Sequence, residues 1–409
     1  MRRALIAFAS FAFAAALAAQ DKTTVYKGAR VWPGGAPPID DAVLIVARGK
    51  VQAVGGPDTP VPAGAQVIDA TGRSITPGLI DAAWNGGVAQ ADQCEQGNET
   101  EPAMHVLDSL DAKSKGFARA RAAGVTAVHV MPGTQDVIGG LSAVVKTWAP
   151  DPAAMVLKDE AALRIVLGAE PSFGNRAIRG GTIDSIYYRR PTTRMGVVWE
   201  VRKNFYAAKD RLARTLGGGE PPPDRGLEVL CRVLQGKLTA VTTARSEQDL
   251  RTALRLGAEF GYTPVIDEAQ EAHYVVDELA KAKVWVMVGA PSAERVTGSA
   301  QMDGADPRFS TLPMLQERGV PFVITTGTNT QALDLIREAT FAVRFGISPQ
   351  RALDAITVDP AKLLGVGDRI GQLAAGKDAD FVVWSADPLD PASQPATVVL
   401  DGNPVPTSR

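Results

Sequence analysis

From Leu238 onward, short apolar runs of β type alternate with amphipathic helices, and this alternation limits the possible folds more than any other feature. Thr239 to Thr243 reads as a strand. Ser246 to Phe260 reads as a helix, with a capping pair at Ser246 and Asp249 and one apolar face through Leu250, Ala253, Leu254 and Ala258. Gly261 stops it, Thr263 to Ile266 is the next strand, and Glu271 to Ala282 sets Ala272, Val275, Val276, Leu279 and Ala280 on one helical face. Val284 to Val288 follows. After a polar insertion come a helix around Leu312 to Arg318, the strand Pro321 to Thr325, and a helix carrying Ala332, Leu335, Ile336, Ala339 and Val343. Earlier copies of the unit are Arg73 to Asp81 and Gly124 to Val130, the latter after a helix over Ser114 to Ala123.

Such units imply a parallel sheet covered by helices, either open and doubly wound or closed. An open sheet calls for a Gly-rich phosphate turn after its first strand, and Gly86-Gly87 is a poor match. The fold class is therefore read as α/β, a (β/α)8 TIM-type barrel, and the roughly 290 residues available suit a barrel of about 250. Between Pro150 and Leu230 the pattern fades, and Gly217-Gly218-Gly219 with Pro221-Pro222-Pro223 marks a loop.

Both ends of the chain have a different texture. Thr24 to Trp32, Ala42 to Val54 and Gln66 to Asp69 are β runs separated by Gly and Pro turns, and the same texture returns in Asp378 to Trp384 and Thr397 to Leu400. We expect a composite β-sandwich over 20–72 and 366–409, with the barrel, 73–365, inserted between its halves. Ahead of it, Arg2 and Arg3, the apolar run Ala4 to Ala19, and Ala16 and Ala18 spaced as A-x-A read as an export signal over 1–19. The mature protein is then expected in the periplasm or outside the cell, with no membrane span after cleavage. Lys plus Arg number 43 against 45 Asp plus Glu, a net charge of -2, which gives no electrostatic case for nucleic acid. Cys94 and Cys231 have no C-x-x-C partner; a bridge between them and two buried thiols are both open.

Barrel chemistry belongs at the C-terminal strand ends, here Asp81 to Asn85, Met131 to Thr134, Thr242 to Arg245, Asp267 and Glu268, Gly289 and Ala290, and Thr325 to Gly327. Ser74-Ile75-Thr76-Pro77-Gly78-Leu79-Ile80-Asp81, the ending Ala352 to Gly365 with Asp359-Pro360-Ala361, Asp368-Arg369-Ile370-Gly371 and Gly376-Lys377-Asp378-Ala379-Asp380 together resemble the amidohydrolase superfamily. Its imidazolonepropionase-like and prolidase-like exported branch is the nearest fit. The resemblance spans nearly the whole mature chain. It implies a metal-dependent barrel with a flanking β-sandwich, hydrolysing C–N or related bonds with hydroxide generated on zinc or another divalent ion.

Such a centre needs several imidazoles and carboxylates on one or two ions, and the chain has three histidines. Following the resemblance, the paired histidines of the first strand fall at Ala83 and Asn85, around Trp84. A later one falls within Thr242 to Ala244 and another at Glu268. The bridging lysine falls at Arg164, and the final aspartate in Ile324 to Thr328, which holds no carboxylate. The resemblance thus implies a frame whose metal-ligand positions are substituted, Glu268 being still a possible ligand, and no cofactor is predicted. His105, His129 and His273 share no ligand-like spacing, and structural or surface roles are expected of them.

Asp267 and Glu268 are adjacent, and on a strand only one can face the barrel mouth; the alignment selects Glu268. Desolvated there, it would serve as a general acid or base, the alternative being an exposed, solvated carboxylate. Asn85, Thr242, Arg245 and Thr326 are its expected neighbours, able to hold an amide or anionic group. Met131 to Gly140 reads as a Gly-punctuated loop, either a structural turn or part of the site, and Ser185 to Arg190 as an aromatic and basic loop.

The resulting expectation is an exported, non-catalytic homologue that binds a small amide or peptide-like ligand or pairs with an active amidohydrolase paralogue. The alternative is an active hydrolase with a rebuilt or metal-independent site using Glu268.

Overall fold

The computed structural model describes residues 23–407 except 96, 174–189, 290–302, 304–305 and 328–334. The export signal over 1–19, most of the Ser185 to Arg190 loop, Ala290, Thr328 and Ala332 lie outside the described residues.

The run Arg73 to Asp81, expected as one strand, is divided at Gly78. Ser74–Pro77 is one strand and Leu79–Trp84 another, and they enter different sheets. Gly78 marks a close approach: a Cβ there would come within 2.0 Å of the Thr126 hydroxyl oxygen. Numbered along the chain, the strands of the first sheet are β1 (Thr24–Val31), β2 (Ile39–Ala47), β3 (Lys50–Gly55), β4 (Gln66–Asp69), β5 (Ser74–Pro77), β14 (Phe381–Trp384), β15 (Pro395–Leu400) and β16 (Asn403–Pro404). Its order is β16-β15-β14-β5-β1-β2-β3, with β4 beside β1. Both chain ends meet where β5 pairs antiparallel with β14, Ile75 opposite Val383. The sheet buries Tyr26, Leu44, Ile75, Phe381 and Val399, and Tyr26 meets Phe381 edge-on at 5.1 Å.

The second sheet is β6 (Leu79–Trp84), β7 (Val125–Val130), β8 (Ile138–Lys146), β9 (Val156–Val166), β10 (Thr239–Thr243), β11 (Val265–Asp267), β12 (Val286–Val288) and β13 (Phe322–Ile324), hydrogen-bonded in that order. It curls into the expected barrel. The seam between β13 and β6 is bridged by neighbouring backbone, Ile80 N–H donating to Ile356 and Ile324 N–H to Ala355. Alternation sorts the strand residues: Ile80, Ala127, Val144, Ala162, Val241, Val265, Met287 and Val323 fill the interior. Leu163, Ala240, Ile266, Val286 and Phe322 pack outward with Val201, Phe205, Leu250, Leu279, Leu315 and Leu335 of the helical layer.

One strand departs from the simple repeat. β8 runs antiparallel to both β7 and β9, because the links on either side, 131–137 and 147–155, are shorter than the dozen or more residues a parallel crossover requires. The start of β8 lies inside the stretch expected as a loop. From Pro150 to Leu230 the structure places β9, a 23-residue helix Arg194–Leu216 and a helix Arg225–Leu234, with the Gly- and Pro-rich loop between the two helices. The helix after β10 spans Glu247–Phe260 and ends at Gly261, whose φ of +79° closes it. Ser246 Oγ donates to Asp249 Oδ2 at 2.7 Å. Leu256 and Phe260 complete its buried face, while Ala258 is exposed. Among the described residues no helix is long and apolar enough to cross a membrane.

Lys146 closes β8 at the barrel end that faces the first sheet. It is buried, with its ammonium 2.9 Å from Asp378, 2.9 Å from Asp380 and 2.6 Å from Asp401. Trp384 is also buried, its Nε1 donating to Thr76 Oγ1 at 2.9 Å, and it packs on the barrel's outer core.

Candidate functional site at the barrel mouth

The opposite end of the barrel is organised around two buried guanidinium groups. Arg164, on β9, points into the barrel with no exposure. Its Nη1 donates to the Pro132 carbonyl at 2.9 Å, and its Nη2 to Thr243 Oγ1 at 2.9 Å and Asp267 Oδ2 at 3.0 Å. Arg245, just past β10, sends each of its three nitrogens to a different carboxylate: Nε to Glu268 at 2.5 Å, Nη1 to Asp303 at 3.0 Å and Nη2 to Glu170 at 2.7 Å. Asp303 is shared. Its other oxygen accepts from the Ala169 N–H at 2.7 Å and from Arg194 at 2.9 Å, and Arg194 also reaches Asp249 at 3.4 Å. Gly168, with φ +97°, lies so close to Asp303 that a Cβ would sit 2.7 Å from its Oδ1. Charged groups stay buried when each meets an opposite charge, and every charged side chain of this network has one within 3.4 Å.

The strand ends explain the placement. Thr243 and Asp267 are paired neighbours on β10 and β11, both facing inward. Glu268 follows with φ +55°, a left-handed turn that breaks strand alternation. The expectation that only one of the two acids faces the mouth is corrected here: Asp267 contacts Arg164 directly, and Glu268 Oε1 stands 4.0 Å from the same nitrogen. Thr242 is corrected as well. It lies between the outward-packed Ala240 and Ala244, on the helix-facing side of β10 near Tyr262, and Thr243 takes the place expected of it.

The other expected residues line different parts of the rim. Asn85 is buried and donates to Gln93 Oε1 at 3.0 Å. Thr326 closes the barrel seam, its N–H donating to Asp81 Oδ1 at 3.2 Å and its hydroxyl to Asp81 Oδ2. Among Asn85, Thr242, Arg245, Thr326 and Glu268, the structure joins Arg245 and Glu268 directly. Glu170, Asp303, Arg194 and Asp267 complete the cluster. The Met131 to Gly140 stretch contributes Pro132 and also Thr134, whose hydroxyl donates to Glu170 at 2.7 Å.

Electrostatics follow from burial. Desolvation pushes Asp267 up to about 6 against the pull of Arg164. It pushes Asp136, beside the mouth and near Glu99, Glu95 and Glu101, up to about 7. Burial opposes the charge on Arg245, but Glu268, Glu170 and Asp303 outweigh it and hold the guanidinium above its ordinary value. His129, inside the barrel, is pushed down to about 4 by burial. Its Nδ1 lies 2.9 Å from the Ala82 carbonyl and its Nε2 2.7 Å from Ser142 Oγ. His105 accepts from the Leu107 N–H and pairs with Asp159, and His273 meets Thr311. Cys94 and Cys231 are free thiols, and burial raises Cys94 to about 11. Among the described residues no three His, Cys, Asp or Glu side chains are grouped as metal ligands.

Residues 245–407 match the model of the amidohydrolase family. A solved amidohydrolase from Thermotoga maritima MSB8 is 30% identical and superposes with a TM-score of 0.83, covering 93% of this chain and 99% of its own. This chain belongs to the amidohydrolase superfamily. Within it, the amidohydrolase tasK of Hapsidospora irregularis is 27% identical over 395 residues, 88% of this chain, which spans only 39% of that relative's length. The imidazolonepropionase of Acidiphilium cryptum is 27% identical over 377 residues, 82% of this chain and 85% of the other. Molinate hydrolase, 18% identical with a TM-score of 0.59 and 95% coverage of both chains, shares the fold.

Proposed function

We propose that this superfamily member is an exported, non-catalytic homologue whose barrel mouth is held by arginine–carboxylate ion pairs in place of a metal centre. It would bind a small amide or peptide-like ligand or an active amidohydrolase paralogue. The observation that carries the reading is Arg245, with one carboxylate on each of its three nitrogens.

The described residues do not fit zinc or a similar ion. A divalent centre in this fold needs imidazoles and carboxylates with lone pairs converging on one point. Here Ala83 stands at the end of β6 and Asn85 just past it, a guanidinium stands at Arg164, Asp267, Glu268 and Asp303 accept from arginines, and Glu170 is ion-paired with Arg245. His105, His129 and His273 are engaged elsewhere. Glu268 is also poorly placed for proton transfer, because its Oε2 is taken up by Arg245 Nε 2.5 Å away.

Elemental analysis tests this directly. The protein, purified without chelator beside an amidohydrolase that keeps its metal histidines, is expected to carry only a trace of metal while the control is loaded. One ion per chain, with amide hydrolysis that Glu268→Gln abolishes, would replace this reading with that of an active hydrolase.

A further inference from the structure

The 23-residue helix Arg194–Leu216 carries large apolar side chains on two faces. Val197, Val201, Phe205 and Ala208 are buried against the barrel layer. On the outward side Met195 is 80% exposed, Trp199 57%, Tyr206 46% and Leu216 80%. An amphipathic helix needs only the first set, and a row of large apolar groups in water marks a contact surface. The row is also ordered. Tyr206 donates to Glu259 at 2.8 Å and meets Phe260 edge-on at 5.0 Å, and Glu259 is gripped by Arg202 at 2.8 Å.

We infer that this face is the two-fold interface of a homodimer, in which the helix packs antiparallel against the same helix of a second copy. The charges select that occupant. Trp199, Lys203, Tyr206, Asp210 and Ala213 are spaced four, three, four and three apart, one continuous stripe along the helix. Lys203 and Asp210 are exposed and of opposite sign, and the contact Lys203 makes with Glu200, at 3.3 Å, lies on its own helix and leaves its ammonium open to a second carboxylate. With the two-fold axis between Tyr206 and Ala207, each Lys203 stands level with Asp210 of the second copy, so the pair forms twice. The same register sets Trp199 level with Arg214, a cation for its face. Sliding seven residues either way sets Lys203 against Lys203 or Asp210 against Asp210, so the like charges exclude those registers.

Sedimentation velocity of the purified protein from about 1 to 100 μM is expected to show a dimer, and Trp199→Glu a monomer. Lys203→Asp and Asp210→Lys should each weaken association about tenfold, since each sets like charges opposite one another at two places. An equal mixture of those two variants should associate as well as the unaltered protein, because a mixed pair restores both attractions. Circular dichroism should be unchanged in all three variants, whose altered side chains are exposed, and their melting temperatures should fall only as far as loss of the second copy requires, converging with the unaltered protein on dilution. A monomer at every concentration, a dimer indifferent to Trp199→Glu, or a mixture no better than its components would overturn the assignment.

Discussion

Each end of the barrel holds a buried cation among three carboxylates, and the two are built differently. At the sheet-facing end Lys146 meets Asp378, Asp380 and Asp401, which lie within 24 residues, just before β14 and just after its neighbour β15. Asp378 has two further cations, Lys50 and Arg369. At the mouth Arg245 meets Glu170, Glu268 and Asp303, drawn from segments far apart in the chain. An ammonium is a compact point charge that a local cluster can surround, whereas a guanidinium has a fixed fork that holds several segments at set angles. The first arrangement fastens two layers of the fold. The second fixes the positions of the segments around the barrel mouth.

That contrast predicts unequal losses. Arg245→Met should lower unfolding free energy in urea by about 3–5 kcal/mol, the usual cost of removing one partner from a buried charge network. Lys146→Met should fall nearer the lower end of that range. Asp378 keeps Lys50 and Arg369, and Asp380, raised by burial to about 6, can neutralise itself by taking a proton. Arg245→Lys should recover little, since one ammonium cannot reach three carboxylates on three sides. Equal losses at the two ends, with full recovery in Arg245→Lys, would erase the distinction.

The pH dependence sharpens it at the mouth. Asp136 is buried and its carboxyl is raised from 3.8 to about 7. Between those values the folded protein holds a proton that the unfolded chain has released, so this group costs stability progressively as pH rises from about 4 to about 7. His129 acts in the other direction. Lowered from 6.5 to about 4, it contributes stability that is present above pH 6.5 and lost as pH falls toward 4. Asp136→Asn keeps a neutral acceptor for the Glu95 N–H and leaves His129 unchanged. Its unfolding free energy should equal that of the unaltered protein near pH 4 and exceed it by about 1–3 kcal/mol at pH 8. A variant less stable at pH 8 would show that Asp136 is ionised and paired in the fold.

How much of this was legible depended on whether the signal was local. The strand and helix alternation of Thr239 to Ala282 is a local periodicity, and it located the barrel. The Asp378 and Asp380 motif is local too, although nothing in the sequence pointed to Lys146 as their partner. Glu170 sits on a single helical turn and Asp303 in a stretch without periodicity, so only long-range folding brings them to Arg245. The reversal of β8 was hidden by Gly139-Gly140, which read as loop although they begin a strand. Ala258 was misplaced because alanine is a weak marker of a buried face, while Leu256 and Phe260 carried the packing.

The finest comparison tests a single step of register. β10 is buried on both sides, Thr-Ala-Val-Thr-Thr, so its sequence lacks the polar alternation that would tell inward from outward. The structure decides in favour of Thr243, whose hydroxyl accepts from Arg164 at 2.9 Å and lies 3.3 Å from Asp267. Thr243→Val keeps the shape but takes a hydrogen-bond partner from two buried charged groups, and should cost about 1.5–3 kcal/mol. Thr242→Val, on the helix-facing side, removes only a neutral contact with Tyr262 and should cost less, about 0.5–1.5 kcal/mol. Urea melts of the two variants, one residue apart and identical in chemistry, separate the faces. If Thr242→Val proved the more damaging, β10 would be shifted by one residue, and Asp267, which pairs with Thr243, would have to turn away from Arg164 with it.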